Sequence, residues 1–163
     1  MIGSNAENVK EFWKSFCAAN DLPDDTEYHA RTFSDSRYSL VTDEIAELAR
    51  QGNKRATCHL QLDFEKNAVP YRFPGDYMVV LNSTLTPLCV IQCRRLEFVA
   101  FNQVTDEFAA SEGEGDLSYD YWAKVHKRYF VKLLETWGLD WDASINVVCE
   151  SFETVWPKPY LAI

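Results

Sequence analysis

The sequence predicts an α+β domain built on a mostly antiparallel sheet or small β-barrel with flanking helices. Apolar residues recur at helical spacing in residues 9–17 and 122–137, whereas they alternate with a period of two in residues 56–64. Helices and strands are mixed without a regular βα alternation, which favours α+β over a parallel sheet. The 163 residues, of which 47% are hydrophobic, suit one domain with a core of ordinary size.

The first 52 residues predict two helices. In the first helix an apolar stripe follows one face: Val9, Phe12, Trp13, Phe16 and Cys17. Pro23 marks the end of this helix, and residues 28–41 show no clear pattern. The second helix is expected to be capped by Thr42 and to end at Gly52, because glycine suits a left-handed stop.

Strands are predicted in the middle and at the end of the chain. The alternation in residues 56–64 indicates a half-buried strand with Thr57 and His59 on its polar face. A second strand is expected after the Pro-Gly-Asp turn, from residue 77. Residues 87–101 are expected to form one or two further strands, and residues 145–156 a closing strand rich in β-branched and aromatic side chains.

A late helix is predicted between Ser118, a good N-cap, and Gly138, a good stop. Its apolar face carries aromatic and aliphatic residues: Trp122, Val125, Tyr129, Phe130, Leu133, Leu134 and Trp137. His126 also falls on this face. A histidine there is either a hydrogen-bonded core residue or a catalyst.

Composition and charge limit the partners. The net charge of -9 gives no overall attraction for a nucleic-acid backbone, so bound RNA would need a local basic patch or a pocket. Apolar runs are too short to span a bilayer and no secretion signal is recognisable, which predicts a cytoplasmic protein without a membrane or DNA partner. The five cysteines lack a CxxC pair and are predicted to be buried and reduced; neither a metal nor a cofactor is expected.

An acidic, glycine-rich stretch, "SEGEGD", precedes the late helix. It alternates Glu112, Glu114 and Asp116 with two glycines. It lacks the lysine of a phosphate loop, and it is too short for a calcium EF-hand, since it is expected to open a helix instead of joining two. A magnesium site using two of the acids and a solvated loop at a helix start remain the alternatives.

The segment "GNKRAT", residues 52–57, is expected to turn from a helix into a strand. Thr57 at such a corner can be a nucleophile or an anion ligand, and a desolvated Lys54 can be its base. Alternatively, Lys54 and Arg55 only complement the helix C-terminus.

The order of these motifs resembles the ASCH domain family. The shared pattern is a helix, Gly-x-Lys-x-x-Thr, a strand, a Pro-Gly-Asp turn, paired strands, the acidic glycine stretch and then Trp-x-x-x-His, across roughly residues 40–156. The resemblance implies a small β-barrel related to the PUA domain. The chain is most similar to a longer bacterial branch of this family, which has an added N-terminal helical region. This resemblance implies one domain over residues 1–163, with an N-terminal helical extension at 1–40 and a barrel core at 41–156.

The resemblance also implies a cleft that recognises RNA or a nucleoside. A shorter bacterial relative is an amidohydrolase acting on acetylated cytidine, and its catalytic residues would correspond to Lys54, Thr57 and Glu112. Ribonuclease activity has been proposed within the longer branch. The expected ligand contacts are Arg55, His59, Arg94, Glu114, Asp116, Trp122 and His126. His59 stands where the short relatives have an arginine, which weakens the amidohydrolase reading.

Three hypotheses follow from the sequence. The first is a module that binds RNA or a modified nucleoside. The second is a hydrolase, an amidohydrolase or ribonuclease, with Thr57 as nucleophile, Lys54 as base and Glu112 as proton shuttle. The third is a non-catalytic interaction domain. The cleft reading expects Lys54, Thr57 and Glu112 to line one concavity, and RNA binding expects a basic patch of Lys54, Arg55 and Arg94 or Arg95.

Overall fold

A computed structural model describes residues 2–35 and 38–159. Along the chain the elements are β1 (Ile2–Gly3), α1 (Glu7–Ala19), β2 (Tyr28–Arg31), α2 (Ser39–Arg50), β3 (Ala56–Leu60), α3 (Gln61–Lys66), β4 (Tyr77–Leu81), β5 (Pro87–Ala100), a 3₁₀ turn (Phe101–Gln103), α4 (Asp106–Ser111), α5 (Tyr119–Thr136) and β6 (Asn146–Trp156). None of the helices in these ranges is long and apolar enough to cross a membrane.

The strands form one mixed sheet in the order β1-β2-β4-β5-β6-β3, in which five of the six strands have four or more residues. The pairs β1–β2 and β2–β4 are parallel, and the other three are antiparallel. The edge strands β1 and β3 do not pair with each other, so the sheet is open. The α+β class is confirmed, but the expected closed barrel is wrong, because closure needs hydrogen bonds between the two edges.

Two predicted element boundaries are wrong. The strand expected over residues 56–64 ends at Leu60 and continues as α3. Leu60 and Phe64 fit one face of a strand and also lie four residues apart, so the apolar pattern does not separate the two structures. Helix α2 begins at Ser39, and Thr42 lies inside it, where its hydroxyl donates to the Asp35 carbonyl at 2.8 Å.

Helices cover both faces of the sheet. Helix α1 packs against Val79 and Leu81 of β4, whereas α2 packs against Met78 and Val80. Since alternate strand residues point to opposite faces, α1 and α2 lie on opposite sides. Helix α5 packs on β3 and β6 and closes a third apolar cluster. All five cysteines are buried and unbridged, as predicted.

Strand β5 is one continuous strand of 14 residues that pairs with both β4 and β6. Its pairing with β6 shifts register between Cys93 and Arg95, which is the mark of a β-bulge. A bulge bends a strand locally. One long bent strand therefore occupies the stretch for which the sequence allowed one or two.

The acidic glycine stretch lies against the corner between α2 and β3. The Arg55 amide donates to the Ser111 carbonyl at 2.8 Å. Gly113 has φ +73°, and a Cβ built there would lie 2.4 Å from the Asn53 carbonyl oxygen. Contrary to expectation, the stretch joins two helices, α4 and α5. Helix α4 was not predicted because its six residues are too few to give a clear apolar period. The Ser118 cap and the stops at Gly52 and Gly138 are confirmed, each glycine having a positive φ.

This close approach makes Gly113 sensitive to substitution. Gly113→Ala combines a left-handed backbone with a clash against backbone atoms, so we expect a loss in free energy of unfolding clearly above the roughly 1–2 kcal/mol of the conformational term alone. Gly138→Ala is the matched control, because Gly138 has φ +67° and nothing within 4 Å of its built Cβ. Urea denaturation measures both; equal losses would show that the Gly113 contact does not constrain the fold.

Candidate functional site

A buried charge cluster joins the α2–β3 corner to the acidic stretch. The Lys54 ammonium donates to Glu112 Oε2 at 2.8 Å and to Glu114 Oε1 at 2.7 Å. Lys54 is 1% exposed and Glu112 is 2% exposed. Residues 58 positions apart in sequence therefore share an ion pair shielded from water.

Helix α5 completes the cluster through the other oxygen of Glu112. The Trp122 indole N–H donates to Glu112 Oε1 at 2.9 Å, and His126 Nε2 lies 3.3 Å from the same atom. Trp122 and His126 occupy successive turns of α5, and their rings stack at 4.6 Å between centroids. The Trp-x-x-x-His spacing thus presents two donors to one carboxylate.

Opposing effects set the protonation of this cluster. Burial by itself lowers the pKa of Lys54, but attraction and hydrogen bonds from Glu112 and Glu114 outweigh burial and raise it above the ordinary lysine value. Burial by itself raises the pKa of Glu112, but Lys54 and His126 outweigh that effect and hold it well below the ordinary glutamate value. Lys54 is therefore an ammonium and Glu112 a carboxylate near neutral pH.

The contacts of His126 favour its charged form. Its Nδ1 lies 2.9 Å from the Trp122 carbonyl, which only accepts, so Nδ1 carries the hydrogen. In a neutral ring, Nε2 would therefore carry a lone pair facing the negatively charged Glu112 carboxylate, which is unfavourable. Burial opposes the charge, yet Glu112 outweighs it and raises the pKa of His126 above its ordinary value.

The cluster itself leaves little room for a ligand. A cavity of about 10 Å³ lies beside it, and its wall includes Glu112, Glu114, Tyr121, Trp122 and His126. That volume holds about one water molecule. The cluster is therefore a packed ionic centre and is not itself an open binding pocket.

A larger cavity of about 270 Å³ lies on the polar face of β3. Its charged and titratable lining comprises Arg31, Asp35, His59, Asp63, Arg72 and Tyr129, and its other walls come from Thr32, Phe33, Ser34, Phe64, Val69 and Met78. Phe33 connects it to the charge cluster, because the Lys54 ammonium lies 5.3 Å from the Phe33 ring centroid.

Alternate residues of β3 point to opposite faces of the sheet. Cys58 faces the apolar cluster beneath α5, whereas Thr57 and His59 belong to the opposite face. Thr57 is buried opposite Glu150 of β6. The hydrogen bonds of Lys54 Nζ among the described residues go to Glu112 and Glu114, and Thr57 is not a partner. Lys54 and Glu112 are thus brought together, with Thr57 on the cavity side.

Other predicted contacts lie at the surface. Arg94 pairs with Glu153 at 2.9 Å, and both side chains are exposed. Arg95 pairs with Glu97 at 2.7 Å. Arg55 is exposed, as is Asp116, whose carboxylate accepts from the Ser118 amide at 2.9 Å and so supports the start of α5. Because Lys54 is buried, it contributes no charge to a surface patch.

The sequence analysis missed the two arginines of the larger cavity. Arg72 donates through Nε to Glu150 Oε1 at 2.9 Å and through Nη2 to Glu150 Oε2, and both residues are buried. Arg31 ends β2, in the segment for which no structure was predicted. The only sequence feature of Arg31 was its alternation with His29, and residue type alone does not separate a buried arginine from an exposed one.

Within the described ranges no group of three or more His, Cys, Asp or Glu is arranged to hold a metal.

Comparison with known proteins gives a consistent result. A family model for the ASCH domain matches residues 29–156. A crystal structure of a protein from Enterococcus faecalis V583 has 29% identity and a TM-score of 0.81, covering 91% of this chain and 88% of that chain. The ASCH domain from Lactobacillus crispatus JV V101 has 26% identity and a TM-score of 0.80, covering 93% of this chain and 96% of that chain. No curated protein matches the chain.

The matched region contains the α2–β3 corner, the acidic stretch and the Trp-x-x-x-His segment of α5. These are the segments on which the resemblance rested. The match spans well over half of the chain, and two experimental structures share its fold over nearly their whole lengths. The chain therefore belongs to the ASCH domain family.

Proposed function

We propose that this protein binds single-stranded RNA, or a single nucleoside unit of it, in the cavity of about 270 Å³. The observation that carries the proposal is the cavity wall, which combines arginine side chains with aromatic rings. Arginine recognises phosphate and aromatic rings stack on bases. ASCH domains are generally considered to bind RNA, which supports this choice.

An exposed aromatic row extends the cavity wall outward. Phe64 of the wall contacts Tyr71, with ring centroids 4.7 Å apart, and Tyr71 contacts Phe98 at 5.1 Å and Phe73 at 6.4 Å. Phe73 and Phe98 are 56% and 48% exposed. Large exposed rings at the mouth of a polar cavity suit the stacking of unpaired bases, and stacking does not require a positively charged protein.

The first test is binding to short single-stranded RNA. We expect Phe98→Ala to weaken binding by roughly 5- to 100-fold, the usual range for the loss of one base-stacking ring. Leu85→Ala is the matched control, because Leu85 is also exposed and apolar but lies in the β4–β5 hairpin. Fluorescence anisotropy with labelled pentaribonucleotides measures both variants, with unfolding curves to verify the fold.

The same titrations, repeated at several salt concentrations, test the charge of the interface. With one or two phosphates neutralised, log K should fall with log salt at a slope of about -0.7 per phosphate. A parent protein that binds no RNA, or equal losses in Phe98→Ala and Leu85→Ala, would refute the proposed surface.

We assign the charge cluster to positioning and not to proton transfer. A hydrolase in which Lys54 is the base needs a neutral amine, but the raised pKa of Lys54 keeps the ammonium form. Glu112 meanwhile accepts from Lys54 and Trp122 at once, which ties α5 to the α2–β3 corner. The cluster then supports one end of the cavity through Phe33.

A stability measurement separates these roles. Glu112→Gln leaves a buried ammonium with one carboxylate fewer, so we expect the free energy of unfolding to fall by about 3–5 kcal/mol. Glu114→Gln should cost clearly less, because Glu114 is 20% exposed. Glu112 would instead be catalytic under two conditions: the parent hydrolyses N-acylated nucleosides or cleaves RNA, and Glu112→Gln loses that activity while keeping full stability.

His126 gives a pH dependence with a defined sign. Because the folded state raises the pKa of His126 above its unfolded value of about 6.5, its contribution is complete below that pH and is lost as pH rises through the folded pKa. We therefore expect the free energy of unfolding to decline from pH 7 to pH 9 in the parent and to change less in His126→Gln. His29 and His59 have lowered pKa values, of about 4 and 3, so their effects fall at acidic pH.

A further inference from the structure

Two of the four buried side-chain nitrogen atoms that lack a hydrogen-bond partner among the described residues belong to the lining of the larger cavity, and the other two are Trp13 Nε1 and His29 Nδ1. Nε of Arg31 and Nε2 of His59 are shielded from solvent and lack a hydrogen-bond partner within residues 2–35 and 38–159. Both residues line the cavity. Nδ1 of His29, two positions before Arg31 on the same face of β2, is in the same condition. Buried polar atoms are normally satisfied, so an unpaired set that faces a cavity points to a ligand.

Arg31 is the strongest of these signals. It is partly buried, and across the described residues no carboxylate lies within ion-pair distance of its guanidinium. Burial and the charge of Arg72 lower the pKa of Arg31, and the charge of Asp63 opposes this effect. A guanidinium held beside another cation is stabilised by an anion that reaches both.

Arg72 is already oriented for such an anion. Glu150 accepts from its Nε and Nη2 and so fixes the plane of the guanidinium, while three of its five N–H groups, two on Nη1 and one on Nη2, are not used by this pair. Both residues are buried. The pair neutralises most of the charge of Arg72, which leaves Arg31 as the main uncompensated cation of the cavity.

The acids in the cavity wall define a second pole. Asp63 and Asp35 line it together with the two arginines. Carboxylates repel phosphate but accept hydrogen bonds from ribose hydroxyls. The aromatic side chains of Phe33, Phe64 and Tyr129 complete the wall. A ligand with a phosphate, a sugar and a base can contact the arginines, Asp63 and the rings at the same time, whereas a bare anion contacts only the arginines.

We propose that Arg31, Arg72 and His59 form a phosphate subsite, so that the cavity takes a nucleoside monophosphate, free or as the end of an RNA strand, in preference to an unphosphorylated nucleoside. This inference rests on the proposed function, because it specifies the chemistry of the same cavity. Arg31 supplies the charge, Arg72 the fixed donor, and His59 a hydrogen bond through Nε2.

The test compares each nucleoside with its monophosphate by isothermal titration calorimetry, with inorganic phosphate as a third ligand. We expect the monophosphate to bind roughly 10- to 100-fold more tightly than the nucleoside, as hydrogen bonds to a charged group allow. Arg31→Gln should remove that preference, because it should weaken binding of the monophosphate far more than binding of the nucleoside. Arg50→Gln is the matched control, since it makes the same charge change in the exposed Arg50–Glu47 pair of α2. Arg31→Lys, which keeps the charge but loses the fork, should retain part of the preference.

Each outcome has a defined meaning. Equal affinity for nucleoside and monophosphate would overturn the subsite while leaving the proposed function standing. Inorganic phosphate binding as tight as nucleotide binding would overturn the nucleotide as the ligand of the subsite, because the sugar and base would then contribute nothing. Equal losses for both ligands in Arg31→Gln would assign Arg31 a structural role and would also overturn it. Binding of neither ligand, nor of RNA, would refute both proposals. Pentaribonucleotides with 5′-phosphate, 3′-phosphate or no terminal phosphate identify the source: a terminal phosphate that tightens binding indicates an RNA end, and binding of the mononucleotide alone indicates a free nucleotide.

Discussion

The buried ion pair between Lys54 and Glu112 holds together the parts of the chain that meet at the candidate site. Lys54 lies at the corner from α2 to β3, and Glu112 lies where α4 ends. A charge buried this deeply is costly unless it is paired and hydrogen-bonded, so the corner, the acidic stretch and α5 are constrained to one mutual arrangement. Gly113 permits that arrangement, because no side chain fits between it and the Asn53 carbonyl.

Two kinds of polar environment lie near strand β3. Beside its start, Lys54 joins Glu112, Glu114, Trp122 and His126 in a packed cluster with room for about one water. On its polar face the larger cavity retains unpaired nitrogen atoms. Buried polar groups whose hydrogen bonds are complete stabilise the fold, whereas buried polar groups that lack a hydrogen bond can bind a ligand. We therefore assign a structural role to the cluster and propose ligand binding in the cavity.

The net charge of -9 and the charged side chains of the cavity act on a nucleic acid over different distances. The overall charge acts on the approach of a polyanion and is screened within about 8 Å at physiological salt. In the proposed phosphate subsite, Arg31 and Arg72 act on a phosphate at contact distance, where burial preserves the strength of their charges. An acidic protein can therefore recognise one phosphate unit without attracting long nucleic acid.

The sequence by itself determined the class, the family and most elements, because helix stops at Gly52 and Gly138, the Ser118 cap and period-two alternation are local signals. It also singled out Lys54, Glu112, Trp122 and His126 through motif order, although spacing alone did not show that they share one carboxylate. Only the tertiary structure decided that the sheet stays open, that β3 gives way to α3 at Leu60, and that Arg31 and Arg72 line a cavity. Those outcomes depend on contacts between residues distant in sequence, and a side chain's burial and partners are not encoded in its own neighbourhood.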